Sequence, residues 1–207
     1  MTIRTGIWAT ISCVAALSAG CGSAAAGSSG HSAAGKHVHK QQATGTESTT
    51  DDQLQPAAVA SSQDMVDYLR ALTPMRREVA LANAAAHKGA QLASSDPAAA
   101  GRLSAQVSHH LARASRLAGR VTPPAQLEHA HASLVRAYAI GSRMTMRLSV
   151  LLQHLGPSSR RDYKQRVLPL EKHSLRLGNS WYGPTARMLK DLHVRRPGWM
   201  GGLFDWS

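Results

Sequence analysis

The stretch TPPAQLEHAHASLVRAYAIGSRMTMRLSVLLQHLGP, residues 122–157, decides the fold. Leu127, Leu134, Gly141, Leu148 and Leu155 recur every seven residues, with Ala130, Ala137, Met144 and Leu151 between them. Three-and-four spacing gathers these side chains on one face of an α-helix, whereas a strand would require strict alternation. Thr122-Pro123-Pro124 opens the segment and Gly156-Pro157 closes it, because proline fits a helix start but not a helix interior. The spacing therefore predicts one long amphipathic helix across most of this stretch.

Working outward, the same period appears three more times. Towards the N-terminus it runs through Met65, Leu69, Leu72, Val79, Ala86 and Ala93, with Ser61, Ser62 and Asp64 as cap candidates and Pro74 as an expected kink. Asp96-Pro97 reads as a cap with proline at the first helical position. From there Leu103, Val107, His110, Ala114, Leu117 and Val121 define a second helix. Beyond Pro157, Tyr163, Val167, Leu170, Ser174 and Leu177 define a fourth, with a kink expected at Pro169. Trp181-Tyr182-Gly183-Pro184 is read as a break, followed by a short helix carrying Met188, Leu189 and Leu192. Pro197 to Trp206 reads as an aromatic tail, packed across one end of the bundle or held out for a partner. The predicted fold class is all-α. Its architecture is an up-down-up-down four-helix bundle over residues 63–180, with a short C-terminal helix and aromatic tail over 181–207.

Composition agrees with helix and bounds the chemistry. Only 4% of the 207 residues are aromatic, so the core must come from Leu, Val, Met and Ala. The two cysteines, Cys13 and Cys21, both precede the bundle, which excludes disulfides, thiol catalysis and cysteine-held zinc or iron–sulfur sites within it. A formal charge of +12, from 24 Lys and Arg against 12 Asp and Glu, creates a field that attracts anions. The same charge also serves simply to solvate helix faces.

The N-terminus has the pattern of an export signal. Arg4 supplies a positive start, and Ile7 to Ala19 is an uncharged run. That run is shorter than the ~20 residues a membrane span needs. Leu17-Ser18-Ala19-Gly20-Cys21 resembles the lipobox of bacterial lipoproteins, with leucine four rather than three residues before the cysteine. The resemblance implies a signal peptide over 1–20, lipidation of Cys21 (diacylglyceryl and palmitate chains), and attachment to the outer face of the bacterial cytoplasmic membrane. Residues 21–62 then read as a lipidated cysteine followed by a disordered tether of Ser, Ala, Gly, Thr and Gln. His31, His37, His39, Lys36 and Lys40 form a basic patch within it. A second, shorter likeness rests on Thr122-Pro123-Pro124-Ala125-Gln126-Leu127-Glu128-His129-Ala130-His131. It resembles a helix–helix junction of uncharacterised secreted actinobacterial helical proteins, and implies no activity.

Two kinds of binding chemistry are written into the bundle. Arg102, Arg113, Arg116 and Arg120, with His109, form a stripe on the second helix. Arg136, Arg143 and Arg147, with His129 and His154, form another on the third. Arg160, Arg161, Lys164, Lys172 and Arg176 add charge to the fourth. Such stripes suit anionic lipids or wall polymers through many salt-screened pairs. Specific nucleic-acid binding is not expected, because no aromatic residues are interleaved for base stacking. The alternative is a transition-metal carrier or sensor. Glu128 and His131 share a helix face, His173 is expected at the same height, and Asp67, Glu171 and His110 are expected nearby. A di-iron site would need a second Glu-x-x-His motif, which the chain lacks. Haem held by a core histidine and Met144 or Met188 is a weaker reading of the same kind. No nucleophile elbow, His-Glu-x-x-His or phosphate-cradling loop is present, and only nine acidic residues lie beyond the tether. The expectation is a non-enzymatic lipoprotein that binds an anionic envelope component or a protein partner.

Overall fold

Ser61 starts the first helix through a reciprocal cap. Its hydroxyl accepts from the Asp64 amide, while the Asp64 carboxylate accepts from the Ser61 amide at 2.7 Å. The backbone bond to Ser61 holds the Asp64 carboxyl below its ordinary range. A computed structural model of the chain describes residues 59–200, and all helical segments below lie within them. Residues 1–58, which carry the expected signal peptide, Cys21 and most of the expected tether, lie outside the described residues, as do residues 201–207.

The first apolar period divides where Pro74 predicts. α1 spans Ser62–Ala71 and α2 spans Thr73–Leu92, separated by the fully buried Leu72. Pro74 has no N–H to give the carbonyl four residues back, so the chain bends there and continues. α3 spans Pro97–Ala118, with Asp96 accepting from the Ala99 amide at 2.9 Å as its cap. A 3-10 turn at Ala125–Leu127 leads into α4, Glu128–Gln153. α5, Ser159–Asp162, passes through a π-helical turn at Tyr163–Val167 into α6, Leu168–Asp191. The π turn takes the place of the kink expected at Pro169. Pro169 cannot donate to the carbonyl of Gln165, and widening the preceding turn relieves the ring's clash with it.

Two sequence expectations are corrected here. Val121 lies beyond α3, which ends at Ala118, and the chain does not break at Trp181–Pro184. α6 runs through Pro184 to Asp191. Pro184 deprives only the Ser180 carbonyl of its donor, and Ser180 is solvent-exposed. On the opposite face Trp181 and Thr185 are fully buried, and the Thr185 hydroxyl donates to the Trp181 carbonyl at 2.7 Å. Burial of a whole indole outweighs one hydrogen bond that water can replace.

The helices meet through small residues. Ser108 donates to the Ser142 carbonyl at 2.8 Å and Ser115 to the Val135 carbonyl at 2.9 Å, so position rises on α3 as it falls on α4. Ser174 reaches the Ala137 carbonyl and Arg147 the Arg166 carbonyl, giving α4 and α6 the same opposed sense. Among the glycines described, Gly101 has the tightest surroundings. A Cβ there would lie 2.7 Å from Gln153 Cγ and 2.9 Å from the Ser149 carbonyl. The main core joins α1, α2, α3, α4 and α6 around Met65, Leu72, Leu111, Leu134 and Trp181, and includes Met200. A smaller cluster of Met144, Tyr163 and Val167 holds the π turn against α4.

Candidate functional site

All seven predicted arginines are exposed: Arg102, Arg113 and Arg116 on α3, Arg120 just past its end, and Arg136, Arg143 and Arg147 on α4. Helical geometry puts the helical members of each set opposite the residues that pack inward, since residues 7, 11 and 14 apart nearly eclipse. Two of the seven have partners. Arg113 lies 3.3 Å from Glu78 on α2, and Arg147 donates to the Arg166 carbonyl at 3.0 Å. Among the described residues, no carboxylate lies within 4 Å of the other five. The sequence explains this: no acidic residue occurs between Asp96 and Glu128 or between Glu128 and Asp162, stretches that together hold nine arginines. The outer face of α3 and α4 is therefore a field of uncompensated cations.

The predicted metal ligands do not converge. Glu128 and His173 are exposed, while His131 is buried. Among the described residues, no group of three His, Cys, Asp or Glu side chains is placed to hold a metal ion. His131 is also committed elsewhere. Its Nδ1 lies 3.0 Å from the Tyr68 hydroxyl and its Nε2 lies 3.1 Å from the Ala118 carbonyl. Trp181 Nε1 donates to the same Tyr68 hydroxyl at 2.9 Å. An indole can only donate and a carbonyl can only accept, so the two ends fix every proton between them. Trp181 donates to Tyr68, Tyr68 donates to His131 Nδ1, and His131 Nε2–H donates to Ala118. That leaves His131 no lone pair for zinc, iron or a haem axial bond.

Burial keeps this chain neutral. It depresses the His131 pKa below the ordinary imidazole value, against the opposing bond to Ala118. Burial likewise pushes the Tyr68 hydroxyl up to about 12, partly offset by the Trp181 donor. Of the other predicted neighbours, Asp67 is exposed and pairs with Arg70 on its own helix at 2.6 Å. Glu171 is buried 2.9 Å from the Tyr163 hydroxyl, and burial raises its pKa against the pull of that bond and of Lys172. His110 is half-buried with Nδ1 2.8 Å from Glu78. Sequence reasoning missed the Tyr68–His131–Trp181 chain and the Glu78–His110–Arg113 cluster. Their partners lie 32 to 113 residues apart, beyond the reach of any local pattern.

Open grooves mark the surface of the described residues. One of about 660 Å³ lies between Tyr68 and the loop from Arg120 to Gln126. A second, of about 390 Å³, is lined by Arg76, Arg77 and Trp199, with the Arg76 guanidinium 4.3 Å above the indole centre. A third, of about 580 Å³, lies between the end of α4 and the α5–π segment. None of these three holds a set of groups arranged as nucleophile, base and oxyanion donor. Among the described residues, no helix is long and apolar enough to cross a membrane. The fold and surface define an all-helical bundle with a cationic outer face. No family model matches the chain, nor does any curated protein or solved structure.

Proposed function

We propose that this is a membrane-anchored envelope lipoprotein whose up-down-up-down four-helix bundle is a non-enzymatic binding module for an anionic envelope component. The observation that carries the reading is the pair of arginine faces on α3 and α4, five of whose cations have no carboxylate within 4 Å among the described residues. Unpaired surface cations keep their full attraction for an outside anion, whereas paired ones have spent it internally. The lipobox-like sequence before Cys21 would hold the module on the outer face of the cytoplasmic membrane, within reach of anionic lipid and wall polymer. A protein partner with an acidic face would satisfy the same cations.

The experiment is co-sedimentation of the chain with anionic vesicles and with isolated wall fragments across a salt series. Binding is expected to weaken steeply as salt rises. Replacing Arg102, Arg116, Arg120, Arg136 and Arg143 by Gln is expected to weaken it roughly tenfold or more at low salt, because each cation near an anionic surface contributes about 1 kcal/mol. Salt-independent binding, or none to either material, would remove the reading.

A further inference from the structure

The groove between α4 and the α5–π segment combines exposed apolar side chains with a cluster of cations. Five large apolar residues are strongly exposed there and elsewhere: Val59, Leu81, Met146, Val150 and Leu155. Two of them, Met146 at 38% and Val150 at 56%, stand one turn apart on α4, and Leu155 at 42% follows two residues past its end. Met146 and Val150 line the groove directly, together with Arg147, His154 and Arg166. Arg143 precedes them by one helical turn, and the exposed Arg160 and Arg161 face outward from the short α5. A single carboxylate, Asp162, stands among these cations and is 3.7 Å from Arg166.

Resting on the anion-binding reading above, we infer that this corner docks on an anionic lipid bilayer. Met146, Val150 and Leu155 enter the acyl boundary while Arg143, Arg147, Arg160 and Arg161 meet the headgroup phosphates. A phosphate-rich wall polymer would engage the arginines but offer nothing to the three apolar side chains. A bilayer interface satisfies both, and that pairing of basic and apolar residues is the signature of interfacial binding.

Other occupants fit less well. A second copy would set cationic face against cationic face. The segments outside 59–200 join the bundle at its other end, where Ala60 lines a groove with the α3–α4 loop and Met200 enters the main core. The 26-residue α4 separates that end from Leu155 by about 39 Å. The seven residues after Met200 span at most about 25 Å, so they fall short. Asp52 and Asp51, seven and eight residues before Val59, fall short by the same measure, and Glu47, twelve before it, would reach only with the intervening chain fully extended.

The test uses the full chain with Cys13→Ser and Cys21→Ser. An environment-sensitive fluorophore is carried on a cysteine introduced at Val150 or, for comparison, at Leu81 on α2. Vesicles of phosphatidylcholine alone, vesicles containing phosphatidylglycerol, and inorganic phosphate are added in turn. A blue shift is expected at position 150 with phosphatidylglycerol vesicles only, and none at position 81. Arg160→Glu with Arg161→Glu is expected to raise the lipid needed for half the shift by at least about tenfold. The inference falls if position 150 stays solvent-exposed on phosphatidylglycerol vesicles, if both positions shift alike, or if phosphatidylcholine or free phosphate gives the same shift. Salt-sensitive vesicle binding with position 150 still exposed would overturn the corner while leaving the broader anion-binding reading standing. Loss of all salt-sensitive binding would overturn both.

Discussion

At the scale of single residues, the Trp181–Tyr68–His131–Ala118 chain makes the sharpest claims. Tyr68→Phe keeps the shape of the ring but strips the hydroxyl that the Trp181 N–H and His131 Nδ1 share. Each buried polar group so exposed costs about 1–3 kcal/mol, so a loss of about 3 kcal/mol is expected from urea unfolding with unchanged denaturant slope. A loss below about 1 kcal/mol would mean that water replaces the hydroxyl. The same chain sets a pH dependence. His131 titrates lower folded than unfolded, so below about 6.5 the unfolded state takes up a proton that the folded state refuses. Stability is thus complete above that value and falls as pH drops towards the depressed folded pKa. Protonation would give Tyr68 two incoming donors and leave its own proton nowhere to go. Glu171 acts in the opposite sense. Its raised folded pKa makes its contribution complete below about 4.5 and lost as pH rises through the folded value. The windows meet between these limits, so each slope is read as the difference between the parent chain and its His131→Gln or Glu171→Gln variant. Little of this was legible beforehand. The spacing of Glu128 and His131 suggested a ligand pair, yet a histidine's role depends on what faces it from other helices, and sequence spacing reports only its own.

Elements were far more legible than sites, because helix periodicity and capping are local. The Ser61 box, the Asp96-Pro97 start, the bend at Pro74 and the long α4 all sit where short-range rules put them. The rules misread Pro184 because proline's cost is local while Trp181's burial is a tertiary gain. They also could not locate the tight contact at Gly101, which looks like any glycine in an alanine-rich run. Its packing against Ser149 and Gln153 makes it a test of the α3–α4 interface. Gly101→Ala is expected to cost about 1–3 kcal/mol, because the added methyl must push back a backbone carbonyl as well as a side chain. Gly156→Ala, where a Cβ meets nothing within 4 Å, is expected to stay within about 0.5 kcal/mol. Equal effects on the unfolding midpoint would show that the α3–α4 contact at Gly101 gives way to the added methyl at no cost.

For the whole molecule, the reading separates two forces that act on the same partner surface but answer differently to salt. A lipidated Cys21 would hold the chain by acyl burial, which salt does not screen, while the arginine faces act through charge, which salt does screen. Most of that charge belongs to the bundle: all but three of the 24 lysines and arginines fall within residues 59–200, against eight of the 12 acidic residues. The two forces are therefore carried by different parts of the chain and can be removed one at a time. With both present, the chain is expected to remain in the membrane fraction through a high-salt wash. Cys21→Ser removes the salt-resistant component, so this variant is expected to stay bound at low ionic strength and to leave the membrane in about 1 M salt, where the screening length falls to about 3 Å. Release already at low salt would show that the cationic faces contribute no membrane affinity. Retention through the high-salt wash would move the anchor from the cysteine to the apolar run between Ile7 and Ala19.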